Sequence, residues 1–218
     1  MKIIDLTRKI FEGMPVYPGD PGVTLNLMST HEKDGCQVTE LRFGSHTSTH
    51  LDAPVHFLPG QKALQDIPLE AFVGEAICLS AKLYYAGGEP HPVIDLSDSA
   101  KSEVRMQDRV IISTGWEEKA GTDGFFENYP IFSEELLTFL LDKKIRMLGV
   151  DLPTVEAVES VGKTSSMHKM ILSRNIIPVE GLVNLDGLIG KRFFFSAAPL
   201  LLENGDGSPV RAYAVVEE

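Results

Sequence analysis

The residues with the greatest chemical potential lie between Ser45 and Phe57, where His46, His50, Asp52 and His56 follow one another as H-x-x-x-H-x-D-x-x-x-H. Three of the chain's six histidines stand in this run. Neutral imidazole and carboxylate together are the ligand set of zinc, manganese or iron, and packing gives no reason for such a density of both, so the run reads as a metal site. Its conformation follows from the spacing. On a helix His46 and His50 share a face, but Asp52 sits well around the cylinder, and a Ser/Thr run followed by Pro54 suits a helix poorly. On an extended chain the four groups, all even-numbered, share one face. A straight strand would separate the α-carbons of His46 and His50 by about 13 Å, at ~3.3 Å per residue, the limit for two imidazoles that share one ion. The segment is therefore expected to bend or bulge, with Ser48 and Pro54 as the places of departure.

The elements that must position this run are read from periodicity. Strands are expected at 2–6, 23–29, 37–44, 76–80, 109–114, 147–150, 176–181, 192–197 and 210–216. A short helix is expected near 69–72, a brief one capped by Asp98, one over 134–143 capped by Ser133, and one over 166–172 started by Thr164 or Ser165. Asp151 ends the strand at 147–150, where α/β proteins often place site residues, although capping of the next turn explains it nearly as well. Tyr17, in the stiff proline-rich loop 14–22, is either part of a plain connection or a pocket wall, and Trp116 at a strand end is either a core anchor or a pocket wall. Taken singly, His168 reads as a partly exposed helix residue, Glu180 as a surface charge and His31 as a solvated turn residue.

At 218 residues the chain suits one domain spanning 1–218. Hydrophobic residues make up 43% and charged residues 23%, the balance of an ordinary globular protein. The 31 acidic residues outnumber the 20 basic ones, and the net charge of -11 disfavours nucleic acid and an anionic membrane surface as partners. Cys36 and Cys78 lack the C-x-x-C spacing and read as reduced, mostly buried thiols. Charges interrupt the apolar residues of Met1 to Lys9 before a signal-peptide core can form, and no later stretch is long enough to span a bilayer. A cytoplasmic protein with no membrane association is the expectation.

The run from His46 to Phe57 closely resembles the H-x-G-T-H-x-D-x-P-x-H signature of the cyclase family of metal-dependent hydrolases, which includes bacterial kynurenine formamidase and isatin hydrolase. Tyr17-Pro18-Gly19-Asp20-Pro21, Ser113-Thr114-Gly115-Trp116, Gly149-Val150-Asp151-Leu152-Pro153, and His168 followed by Glu180 stand in the family's order. The resemblance implies a swivelling β/β/α fold of the α/β class, with a mixed sheet and a few packed helices, and an assembly that is a homodimer or homotetramer. It implies His46, His50 and Asp52 as ligands of a first metal, Asp52 (bridging), His168 and Glu180 as ligands of a second, and His56 as the catalytic histidine. Two divalent ions are then expected, zinc first and manganese next. Five ligands with a shared carboxylate leave positions open for water, as a catalytic site requires. The implied activity is hydrolysis of a carbon–nitrogen amide bond, best an arylformamide such as N-formyl-L-kynurenine. Opening of a cyclic amide or lactone is the enzymatic alternative, and a non-catalytic metal-dependent binding protein the alternative from another class. Tyr17, Phe57 and Trp116 are the candidate walls for a flat substrate. Ser48 departs from the family's glycine, which matters if the position needs positive φ or a close approach.

Overall fold

The computed structural model describes residues 1–88 and 90–217. In chain order the strands are β1 (Lys2–Asp5), β2 (Thr24–Ser29), β3 (Val38–Arg42), β4 (His50–Asp52), β5 (Val73–Ser80), β6 (Lys82–Tyr84), β7 (Val93–Asp95), β8 (Arg109–Ser113), β9 (Ile131–Phe132), β10 (Met147–Val150), β11 (Ile177–Glu180), β12 (Arg192–Ser196), β13 (Gly207–Pro209) and β14 (Tyr213–Val216). The α-helices are α1 (His31–Asp34), α2 (Asp98–Glu103), α3 (Glu134–Asp142) and α4 (Ser166–Leu172). This is the mixed α/β architecture that the sequence led us to expect.

One nine-stranded sheet organises the chain in the order β1-β14-β12-β5-β8-β10-β11-β4-β13. The central β5, β8, β10 and β11 run parallel, and the strands on either side pair antiparallel. Just past β1 the Leu6 amide still bonds to the Ala212 carbonyl beside β14, while Thr7 bridges Leu182 and the Leu6 carbonyl accepts the Val183 amide, beyond β11 toward the other end of the sheet. The sheet is thus curled. Alternation along the parallel strands separates two cores, as the pleat requires. Ala76, Cys78, Ile111, Met147, Ile177 and Val179 face the inner one. Ile77, Leu79, Val110, Ile112, Leu148 and Val150 face the outer one, which Leu136 and Leu140 of α3 and Met167 and Ile171 of α4 cover. Gly149 belongs to the packing of the inner core, because a Cβ there would come within 2.9 Å of both Ile111 and Leu182.

Several expected elements are shorter or displaced. Residue types alone missed β13 and the small sheet of β6, β7 and β9, runs of only two or three residues, too short to show a period. The expected strand at 210–216 begins only at Tyr213, because Val210 leaves to bridge Pro199. Ser97 rather than Asp98 caps α2, its hydroxyl accepting the Ala100 amide at 3.2 Å. Ser133 caps α3 as expected, accepting the Leu136 amide. Cys78 is buried, whereas Cys36 is exposed in the loop between β2 and β3, so only one of the two thiols is interior. Among the described residues, no helix is long and apolar enough to cross a membrane.

Candidate metal centre

The histidine run bends at both expected places. Ser48 has φ +66, a left-handed conformation that favours glycine, and it is held there because its hydroxyl donates to the Arg8 carbonyl at 2.8 Å. The next hydroxyl, Thr49, donates to the Gly181 carbonyl at 2.6 Å and accepts the Arg8 amide at 2.8 Å. The chain then enters β4 between β11 and β13, with His50 opposite Glu180 on one side and Asp52 opposite Gly207 on the other. Pro54 opens a single 3-10 turn over Pro54–His56, and this turn folds the His56 ring back onto His46, with centroids 3.9 Å apart. The register between β4 and β11 places the carboxylate of Glu180 among the histidines.

Helix α4 supplies the remaining imidazole. His168 is 2% exposed, not the partly exposed helix residue expected from its sequence position alone, and Glu180 is likewise 2% exposed rather than a surface charge. The Nδ1–H of His168 donates to Glu156 Oε2 at 2.9 Å, which turns Nε2 toward Glu180 at 3.5 Å and Asp52 at 3.8 Å. His50 donates from Nδ1 to the Ser48 carbonyl at 3.1 Å, so that its Nε2 faces Glu180 at 3.3 Å and Asp52 at 3.7 Å. His46 lies 2.8 Å from Asp52 through Nδ1 and 3.1 Å from Asp206 through Nε2, and His56 Nδ1 stands 3.5 Å from the same Asp206 oxygen. All six residues singled out in the sequence for the metals and for catalysis thus converge. Asp52, His168 and Glu180 come together as the resemblance groups them, His50 faces both Asp52 and Glu180, and His56 stands with His46 and Asp52.

The charge of the cluster suits a cation. Burial opposes ionisation of Asp52, yet the adjacent His46 outweighs it and holds the carboxyl well below the usual range. Burial also works against protonation of His46 and His168, but the carboxylates of Asp52 and Asp206 around the first, and of Glu156 and Glu180 around the second, push both up to about 10. Imidazoles surrounded by this much negative charge will hold either a proton or a metal. Donors of two groups, His46 with Asp52 and His56, and Asp52 with His168 and Glu180, lie within 4.8 Å of one another. Ligands of a tetrahedral ion stand about 3.3–3.6 Å apart when each is ~2.0–2.2 Å from it, close to the separations around Asp52 and Glu180. The residues present therefore fit a divalent metal, with Asp52 common to both groups.

A cavity of about 240 Å³ opens on this cluster. Tyr17 and Phe57 both line it, as expected of wall residues, with Phe126 edge-on to Tyr17 at 6.2 Å and the Phe57 ring 4.3 Å from His168. Trp116 does not line it. Its indole N–H donates to the Phe125 carbonyl at 2.9 Å, Lys119 covers its ring at 3.6 Å, and it packs against the outer core, so its place as a substrate wall is withdrawn. Asp151 also has a local role, since its carboxylate accepts the amides of Thr114 and Trp116 and the Thr114 hydroxyl. His31 is exposed, as expected. Three residues not singled out in the sequence complete the surroundings: Asp206, Glu156 and Arg8. Asn204-Gly205-Asp206-Gly207 carries a visible turn signal, but nothing in it points to His46.

Fold and site together define an α/β protein with a curled mixed sheet, at one side of which carboxylates and imidazoles are gathered for a divalent cation. The profile of the family described as putative cyclase matches residues 4–157, and the chain belongs to the cyclase family. It is 32% identical to the kynurenine formamidase of Geobacillus thermodenitrificans, over 96% of this chain and 95% of the relative. It is 28% identical, with a TM-score of 0.78, to a solved potential metal-dependent hydrolase with cyclase activity, over 100% of this chain and 98% of that one. Isatin hydrolase A from Labrenzia aggregata, at 24% identity, shares the fold with a TM-score of 0.84 over 100% of this chain and 94% of its own.

Proposed function

We propose that this protein is a metal-dependent amidohydrolase whose substrate is an arylformamide, N-formyl-L-kynurenine being the foremost candidate. The observation that carries the reading is the convergence of His46, His50, Asp52, His168 and Glu180 with His56 on the wall of one cavity. The likeness to a kynurenine formamidase over nearly the whole chain supports the choice of bond. His50 and His168 present Nε2 to Asp52 and Glu180, and these four, with His46 on the other side of Asp52, would hold the ion or ions. A divalent ion bound there supplies Lewis acidity, which polarises a carbonyl and makes water a stronger acid.

The chain's own residues supply the rest. With Nδ1 turned to Asp206, His56 has Nε2 available to take a proton from the attacking water and return it to the departing nitrogen as the carbon–nitrogen bond breaks, releasing formate and an arylamine. Asp206 bears on both His46 and His56 through one oxygen and so orients the proton carrier relative to a metal ligand. Tyr17, Phe57 and Phe126 offer apolar faces against which an aryl ring can lie.

The test is hydrolysis of N-formyl-L-kynurenine by chelator-stripped protein reloaded separately with zinc and manganese, with His168→Ala as the blank. Turnover should depend on metal, and His56→Ala should lower it by about a hundredfold or more while metal content is retained. Loss of metal in His56→Ala would make that residue a ligand instead. No turnover with metal demonstrably bound would remove the formamide and turn the search to cyclic amides and lactones.

A further inference from the structure

Arg8 lies on the same cavity and is 8% exposed. A buried guanidinium is costly unless it is paired, and the terminal nitrogens of the chain's other well-packed arginines find partners, although Nε of both Arg109 and Arg192 has none. Arg192 meets Asp108 at 2.9 Å and Glu75 at 3.1 Å, and Arg109 donates to the Glu70 carbonyl at 2.7 Å. Among the described residues, the Arg8 guanidinium has neither a carboxylate nor a carbonyl partner. Burial alone, with no neighbouring anion to offset it, pushes its pKa down to about 10.

What Arg8 does have is the ring of Phe125, over which its guanidinium carbon stands at 4.2 Å from the centroid. Such a contact engages none of the N–H donors in hydrogen bonding and leaves them free for a planar, two-oxygen acceptor. The group is also placed close to the chemistry. A Cβ built on Gly181, the residue after Glu180, would stand 3.5 Å from both Cδ and Nη1 of Arg8. The Arg8 backbone is held to the histidine run by Ser48 and Thr49. No other arginine or lysine is among the described residues that line the cavity.

We propose that Arg8 is the receptor for a carboxylate of the substrate, so that the amide hydrolysed at this centre carries a free acid group. The inference rests on the hydrolase reading for the word substrate, but the anion site itself stands on Arg8 alone. A neutral amide would leave the guanidinium buried and unpaired, whereas a carboxylate completes it with two parallel hydrogen bonds and anchors the molecule beside the metal ligands.

The test compares binding of 3-phenylpropanoate and its neutral analogue 3-phenylpropanamide to the metal-loaded protein by calorimetry. The wild type should bind the acid at least about tenfold tighter, about 1.4 kcal/mol, and Arg8→Gln should bring the two probes within about twofold while circular dichroism and metal content stay unchanged. A wild type without preference for the acid, or an Arg8→Gln variant that retains it because the acid sits on the metal, overturns the proposal. Should Arg8→Gln not fold, nitrogen NMR of the Arg8 side chain in the wild type decides: its signal should move with the acid and not with the amide, and an unmoved signal overturns the assignment. Hydrolysis of N-formyl-L-kynurenine separates the two readings, since its absence beside an intact, Arg8-dependent acid preference sinks the formamidase and leaves the receptor.

Discussion

His46 illustrates how closely single residues are fitted at this site. Its ring is stacked on His56, bonded to Asp52 and Asp206, and backed by Gly207, where an added Cβ would lie 2.5 Å from Cε1 and 2.9 Å from the Leu51 carbonyl. The glycine is needed there for space. Gly207→Ala should displace His46, lower stability by about 1–3 kcal/mol as overpacking does, and weaken metal retention. Equilibrium unfolding together with metal analysis would check it, and a variant that keeps full metal content at wild-type stability would refute this account of the contact. Ser48 shows the opposite case, a side chain tolerated at φ +66 because its hydroxyl gains the Arg8 carbonyl. The left-handed cost of roughly 1–2 kcal/mol is offset by a hydrogen bond worth about 1 kcal/mol.

The decisive contacts between elements are made by short pieces. Strand β4 is three residues long, yet its place between β11 and β13 puts Glu180 on one flank and the segment of Asp206 and Gly207 on the other. Helix α4 is preceded by Ser165 at its N-cap, whose side chain makes no capping bond. Glu156 takes that role from a preceding loop, accepting the amides of Met167 at 3.4 Å and His168 at 3.5 Å, the Ser166 hydroxyl at 3.2 Å and the His168 ring at 2.9 Å. One carboxylate thus satisfies the helix terminus and aims the imidazole. Glu156→Gln keeps the shape but weakens the hold on the ring, and metal affinity should fall about 10–100-fold in a chelator competition assay. Unchanged affinity would make Glu156 a helix cap and nothing more.

Across the whole molecule, the centre ties the curled sheet to α4 through three carboxylates, whose charge the protonated His46 and His168 offset when no cation is present. Asp52, Glu156 and Glu180 are all buried, in a chain whose net charge is already -11. A bound ion takes the place of those protons, and binding to the folded state alone adds about 2.7 kcal/mol at a hundredfold excess over Kd. Stripping the metal should therefore lower Tm by roughly 5–10 °C, at ~2–4 °C per kcal/mol for a chain of this size. His168→Ala should lose most of that response. Equal melting with and without chelator would count against a structural share for the ion.

The ligand types and the two bends could be read from the linear chain, because the chemistry of His, Asp, Ser and Pro acts within a few residues, whereas the α/β class came with the resemblance to a family. His168 and Glu180 became legible only through their resemblance to a family, since each taken alone looks like an ordinary helix residue and a surface charge. Tertiary structure alone decided that Asp206 would face His46 and His56 and that Glu156 would aim His168. It also left the buried Arg8 guanidinium without a hydrogen-bond partner among the described residues and sent Trp116 to the outer core. Those outcomes depend on strand order and on pairings between residues as far apart as His46 and Asp206. No local preference of the chain encodes them.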